Sequence, residues 1–474
     1  MKKLLYTILL TAISMSMYGQ TNVSGGIFSN TTWTLANSPY IMTGPVVVFP
    51  NVTLTIEPGV VVKIEETSST TSLQVYLELR GKLIAKGNAS NPISFIPKTT
   101  PSNGLDYIWQ GIFVKTAQGG SVDMDYIVFN NSYYGISYDE PLYDTLVFNG
   151  SKFNYNCYAL AINTNLVLND CEFKNNGVGH SLMYIYGSIT ARNCVYKNNY
   201  ACMAFVANSV DVKNCTFEDN QSCFLQVSGK FNNCTFKNNM TVFQENGTLE
   251  IDSSLFITND YGINGFGLGS VKNSSFLGNK IALSVGPDAV IENNIINNND
   301  VGLGLAGSFT SGMVLPFIKD NKICYNFIYN VENKSDFNLG LENNCFCLND
   351  SVSIDAKIYD GYDDFTRGLI NFAVYDTSCI NIVQRFIKIN LGQSTGINQN
   401  SLIVEAYPNP FTDLINLRGL SSEENTWTIF DVTGKLILER ATTNKNDALD
   451  LSSLYPGVYV MKSSNYKPIR IVKN

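Results

Sequence analysis

Apolar and polar residues alternate in short runs that recur about every 20 positions through the middle of the chain. Leu168-Asn-Asp-Cys-Glu-Phe-Lys-Asn-Asn176, Val212-Lys-Asn-Cys-Thr-Phe-Glu-Asp-Asn220 and Phe231-Asn-Asn-Cys-Thr-Phe-Lys-Asn-Asn239 follow one template. The alternation has the period of a strand, so Val210 and Val212 are expected to face inward and Asp211 and Lys213 outward. A second apolar run follows each template, as in Cys223-Phe-Leu-Gln-Val227, Ile281-Ala-Leu-Ser-Val285 and Val301-Gly-Leu-Gly-Leu305. Short strands repeated at this interval predict a solenoid.

Alignment on the template yields columns. The aromatic one runs Phe129, Phe153, Phe173, Tyr196, Phe217, Phe236, Phe256, Phe276, then Ile296, Cys324 and Phe346. Two positions earlier stand small residues: Ser151, Cys171, Cys194, Cys215, Cys234, Ser254 and Ser274. A first amide column precedes these (Asn193, Asn214, Asn233, Asn273, Asn293, Asn321, Asn343). A second follows the aromatics (Asn156, Asn176, Asn199, Asn220, Asn239, Asn259, Asn279, Asn299, Asn349).

A parallel β-helix accounts for all four columns. Each coil pairs with the next about 4.8 Å away, so equivalent side chains stack in register. Stacked Phe rings gain beyond their area burial, and Asn suits corners because it tolerates left-handed backbone and bonds its neighbours. The Leu-x-x-Leu-x-Leu pattern of leucine-rich repeats is absent, and a propeller needs blades nearer 40 residues. The expected class is therefore all-β: a right-handed parallel β-helix followed by a small C-terminal β-sandwich.

The start of the chain is less regular but rich in β-type runs such as Val52-Thr-Leu-Thr-Ile56 and Leu77-Glu-Leu-Arg-Gly-Lys-Leu-Ile84. Leu54-Thr-Ile-Glu-Pro-Gly-Val60, Gly81-Lys-Leu-Ile-Ala-Lys-Gly87 and Trp109-Gln-Gly-Ile112 resemble the cap and opening coils of exported, pectate-lyase-like β-helices. Ile358-Tyr-Asp-Gly-Tyr-Asp-Asp364 through Phe372 resembles their closing coil. Residues 21–119 are assigned to the cap and first coils, and 120–392 to the regular and closing coils.

Charged residues make up 15% of the chain and the formal net charge is -8, with no basic block, which argues against a nucleic-acid partner. Residues 1–20 read as a secretory signal: Lys2-Lys3, an apolar stretch from Leu4 to about Ile13, then a small, polar exit. No later apolar run has transmembrane length, so none is expected in the mature chain.

Residues 393–402 are polar and aperiodic, as a linker is. Beyond them Leu414-Ile-Asn-Leu417, Trp427-Thr-Ile-Phe430 and Val458-Tyr-Val-Met461 read as strands of a small sandwich. Pro408-Asn409-Pro410-Phe411, the Asp-x-x-Gly-Lys run ending in Gly434 and Lys435, and Leu-x-x-Gly-x-Tyr with Gly457 and Tyr459 stand in order before a basic end. Residues 403–474 thereby resemble the type A sorting domain of the type IX secretion system of Bacteroidota. The resemblance implies Sec export, recognition by the type IX machinery, and removal of the domain. It further implies attachment to surface lipopolysaccharide or release into the medium. It does not identify the cargo.

Eleven cysteines in an exported chain would ordinarily signal a disulfide framework. Here Cys171, Cys194, Cys215 and Cys234 fall in one interior column, and Cys202 and Cys223 in a second, shorter stack, so buried thiols are expected. Cys345-x-Cys347 has the form of a metal pair, but no histidine or second Cys pair is evident to complete it, and a bridge to Cys379 is the preferred expectation. His180 is the single histidine and no Gly-x-Ser-x-Gly elbow accompanies it.

Carboxylates are the main candidates for chemistry, because many β-helices that resemble this one are polysaccharide lyases or glycoside hydrolases. Asp123 with Asp125, and Glu250 with Asp252, lie two apart on strands and share outer faces. The outward column reads Asp125, Asn149, Asn169, Arg192, Lys213, Asn232, Asp252, Lys272, Glu292, Asp320, Glu342, and such mixed signs describe a solvated face. Asp360, Asp363 and Asp364 are candidate calcium ligands, though their spacing is not that of an EF-hand loop. Asp144-Thr-Leu146 and Asp350-Ser-Val352 resemble the three-residue O-glycosylation signal of the same bacteria. No cofactor is expected. Two functions stay open: a non-catalytic rod that binds extracellular glycans through aromatics such as Tyr133, Tyr138 and Tyr143, and a glycan-cleaving enzyme.

Overall fold

The computed structural model describes residues 19–65, 75–101, 107–140, 145–162, 164–177, 182–183, 187–204, 209–225, 227–244, 247–266, 269–305, 314–379, 405–418, 425–431, 436–442, 448–463 and 466–473. The signal segment through residue 18, His180, Tyr143, Asp144 and the 393–402 linker lie outside these. The chain divides into two units, Met1–Val383 and Gln384–Asn474. None of the helices among the described residues is long and apolar enough to cross a membrane.

The first unit is a parallel β-helix. One sheet of nineteen strands carries the aromatic column, a second of nine runs from Thr145–Asn149 to Phe317–Lys319, and a third of eight from Ala201–Ala204 to Ile358–Tyr359. Phe129 stands opposite Phe153, Phe153 opposite Phe173, and so on through Phe276 and Ile296. Register is exact in this sense because a one-residue slip would turn every core side chain outward. Phe173, Tyr196 and Phe217 stack nearly parallel, with centroids 4.9 and 4.7 Å apart. The irregular opening residues join the same architecture, since Thr21–Ile27, Tyr40–Val48 and Val61–Ile64 pair in parallel.

The two amide columns divide the work that Asn was expected to do alone. Exposed corner residues take the left-handed conformation: Asn193, Asn214, Asn233 and Asn273 at one corner, Asn175, Asn198 and Asn238 at another, with φ between 51° and 56°. At the second corner, the residue that follows turns inward. Asn156, Asn176, Asn199, Asn220, Asn239, Asn259, Asn279 and Asn299 form a buried ladder. Each side-chain oxygen accepts the backbone N–H and the amide of the preceding rung, and each amide also donates to a carbonyl about one coil back. Corner carbonyls and N–H groups that point inward are thus satisfied without water.

Four column assignments change beyond residue 296. The step from Ile296 spans 27 residues to Ile323, not 28 to Cys324. Lys319, not Asp320, therefore follows Glu292 on the outer face, and Asp320 takes the left-handed corner. Asn321 belongs to the small-residue column, where Ser274, Asn294, Asn321 and Asn344 make another amide ladder. The second ladder continues through Asn326 to Asn330, so Asn349 is not its member. A longer coil hides the register in sequence, and the buried amide bonds settle it in space.

Cys171, Cys194, Cys215 and Cys234 are buried free thiols, as are Cys202 and Cys223. At the far end disulfides join Cys324 to Cys347 and Cys345 to Cys379. The closing coil contains a one-turn helix, Ser351–Asp355, whose N-terminus is capped by Asp350 through the Ser353 N–H at 2.8 Å.

The second unit has antiparallel sheets of three and four strands around Phe411, Ile415, Leu417, Trp427, Ile429 and Met461. Phe411 is fixed from both sides: its N–H donates to Val472 O at 2.9 Å, and the Lys473 ammonium lies 5.5 Å from its ring centre. Asn409 accepts from the Val472 N–H at 2.8 Å, and the Tyr459 hydroxyl donates to Tyr455 O at 2.8 Å. Gly434 and Lys435 lie outside the described residues.

Candidate functional site

The sheet that begins at Thr145–Asn149 presents the outward charges of the template. Glu250 pairs with Lys230 at 2.9 Å, in the neighbouring coil. Asp252 accepts amide N–H bonds from Asn232 at 3.2 Å and Asn273 at 2.7 Å. Arg192 pairs with Asp211 at 2.5 Å and donates to that residue's carbonyl. On the adjoining face Glu218 lies between Lys197 and Lys237, 2.9 Å from each; burial alone would raise its carboxyl, but the two ammonium groups hold it below the usual range. Side chains of opposite sign on neighbouring rungs pair with one another along the stack.

Asp123 and Asp125 converge on one lysine. Both reach Lys86 across the strand pair Lys82–Lys86 and Ser121–Asp125, at 2.5 and 2.6 Å, in a groove shared with Thr145 and Asn149. Their bonded oxygens therefore lie no more than about 5 Å apart, so the pair is no wider than that of a retaining glycosidase. The space between them holds the lysine, however. Burial lowers the Lys86 ammonium, but its bonds to both carboxylates outweigh this and raise it, so it stays charged and is a poor base. Asp125 also accepts from the Asn149 N–H and amide at 3.0 and 2.7 Å.

Asp360, Asp363 and Asp364 do not converge on a common point. Asp360 is buried and accepts from the Ile370 and Tyr362 N–H groups at 2.7 and 2.9 Å. Asp363 accepts from the Asp360 N–H at 3.1 Å, while Asp364 accepts from Thr366 and pairs with Arg367 at 3.3 Å. These acids shape the closing turn.

Among the described residues a different surface stands out. Tyr76, Tyr107, Phe113, Tyr133, Tyr134 and Tyr158 form one continuous patch over the opening coils, all at least partly exposed. Phe113 links Tyr76 and Tyr134 at centroid distances of 5.9 and 5.8 Å. Tyr134 and Tyr158 lie 6.0 Å apart with ring planes only 11° from parallel. Tyr133 packs edge-on against Tyr134, Tyr158 and Tyr107. Gly135, at φ 59°, permits the bend that turns this pair of tyrosines out, and a Cβ there would strike the Ala159 carbonyl. The sequence singled out only Tyr133 of this group. Tyr138, expected beside it, is buried with its hydroxyl inside, and burial pushes that phenol well up. The others were missed because Tyr76, Phe113, Tyr134 and Tyr158 fall 37, 21 and 24 residues apart, in coils of unequal length.

Comparison with known proteins is informative at the C-terminus. Residues 405–473 match the secretion system C-terminal sorting domain. No curated protein sequence matches the chain. Among solved structures, one similar chain is a tailspike protein of Acinetobacter baumannii bacteriophage Fri1, described as a capsular polysaccharide depolymerase. It is 14% identical over 96% of this chain and 73% of that one, with a TM-score of 0.22. The sheets, their ladders and the matched tail together make this chain a parallel β-helix followed by a type IX secretion system C-terminal sorting domain.

Proposed function

We propose that the chain is a secreted or surface-attached β-helix that binds extracellular glycans without cleaving them. Export by way of a Sec signal at residues 1–20 and handling by the type IX machinery belong to the same proposal. The aromatic patch carries it. Half-exposed rings held rigid by one another lose little freedom on contact, and their apolar faces suit the C–H faces of pyranose rings. The parallel-paired coils behind the patch fix its geometry, as a rigid scaffold should. The outward carboxylates favour binding over cleavage, since Asp123, Asp125, Glu218 and Glu250 all engage lysines.

Affinity electrophoresis in gels containing bacterial capsular or plant polysaccharides tests this directly. The full chain is expected to be retarded by at least one class. Tyr134→Ala with Tyr158→Ala should weaken retention about tenfold, each stacked ring contributing roughly 0.5–1.5 kcal/mol. Unchanged retention in that double variant would remove the patch from the account.

A further inference from the structure

The four cysteines at the closing end form a cluster, which two independent staples do not require. Cys324, Cys345, Cys347 and Cys379 come from three separate segments, yet all four Sγ atoms lie within 4.8 Å of one another. Between the two disulfides, the sulfurs of Cys345 and Cys347 approach to 3.9 Å and those of Cys347 and Cys379 to 3.8 Å. In a tetrahedron of thiolates about 2.3 Å from a central zinc, neighbouring sulfurs stand about 3.8 Å apart. The sequence pairing of Cys345 with Cys347 lacked a second pair; the fold supplies it in Cys324 and Cys379.

We propose that these residues are a tetrathiolate site for a zinc-class divalent ion, with two disulfides and one bound ion as alternative states of the same cluster. The surroundings suit both. Cys324, Cys345 and Cys379 are buried, which shields thiolates from competing water. The Cys347 N–H donates to Cys345 Sγ at 3.3 Å, a bond that stabilises thiolate character. Cys345 borders a polar cleft lined by Lys319, Lys322, Asp320 and Asp376, which gives a path by which an ion reaches the site. The ladder thiols differ in arrangement. Cys171, Cys194, Cys215 and Cys234 stand one per coil in a file, so each has neighbours above and below and none can help surround an ion.

Conversion between the states is balanced by an external reductant. A water-soluble phosphine reduces each S–S bond with two electrons and two protons, yielding two thiols and phosphine oxide whose oxygen comes from water. An incoming divalent ion then displaces the thiol protons as the four S–metal bonds form.

The test uses the full chain, phosphine-reduced under anaerobic conditions and titrated with cobalt(II), then with zinc(II). One cobalt per chain should give the thiolate-to-metal charge-transfer and visible bands of a tetrahedral sulfur site, and equimolar zinc should abolish them. Cys347→Ser, at the half-buried position, should lose the charge-transfer intensity of one ligand and bind cobalt at least tenfold more weakly. Cys171→Ser with Cys234→Ser should leave both bands and stoichiometry unchanged. Absence of the bands in reduced protein whose circular dichroism is native would overturn the proposal. So would bands that survive in Cys324→Ser with Cys379→Ser but vanish in the ladder variant.

Discussion

Asn239→Ala is expected to destabilise the β-helix by about 3–6 kcal/mol, read from denaturant unfolding by far-ultraviolet circular dichroism. Its side-chain oxygen accepts the Asn220 N–H at 2.9 Å and the Asn220 amide at 3.0 Å. Its amide donates to Phe217 O and to Asn259 Oδ1, at 3.0 and 2.9 Å. Alanine removes all four bonds; the Asn220 amide keeps Tyr196 O and Asn259 Oδ1 keeps the Asn239 N–H, but the buried Asn220 N–H and Phe217 carbonyl lose these partners, and each orphaned group costs about 1–3 kcal/mol. Hydrogen exchange should localise the damage to the coils on either side, because a solenoid couples chiefly to its nearest neighbours. Asn238→Gly is the matched control. That residue is exposed with φ 55°, so glycine relieves strain and the change should stay within about 1 kcal/mol. A loss below about 1 kcal/mol for Asn239→Ala would mean that the ladder is not what satisfies the corners.

Removing residues 405–474 is expected to abolish delivery outside the outer membrane and to leave the β-helix in the periplasm. The two units have separate cores, so deletion of one removes no side chain from the other's. The truncated chain should therefore retain the far-ultraviolet spectrum of its coils. Cell fractionation with protease shaving reads the outcome. Continued display at the surface would contradict a sorting role for the C-terminal domain. A subtler variant addresses the same point: Phe411→Ala empties the contact among Val472, Lys473 and the opening loop. It should destabilise the small domain by about 3–5 kcal/mol and lower export accordingly.

The coils were legible in the sequence wherever stacking forces like residues onto like. Phe217 above Tyr196, Cys215 above Cys194 and Asn220 above Asn199 recur because register repeats the same environment. Columns failed where a coil changes length. The coil from Ile296 to Ile323 is seven residues longer than each of the three before it, and a one-position error there misassigned Cys324, Asp320 and Asn321 together. The two sites are harder still. The aromatic patch draws on the opening coils, where no constant spacing links Tyr76 to Phe113. The cysteine cluster depends on Cys379 returning to the last coils, 34 residues after Cys345. Carboxylates two apart on a strand were readable as sharing a face, but Lys86, which joins Asp123 to Asp125, lies 37 residues earlier and meets them only through parallel pairing.

The central claim is that this exported β-helix holds glycans on its surface and performs no chemistry on them. The most direct measurement incubates the full chain with the polysaccharide that retards it and records bound protein and released fragments together, by reducing-end and unsaturated-product assays. Retention that depends on Tyr134 and Tyr158, with polymer length unchanged, is the predicted result. Fragments that accumulate with time and disappear in Asp123→Asn or Asp125→Asn would contradict it and place an active site in the Lys86 groove.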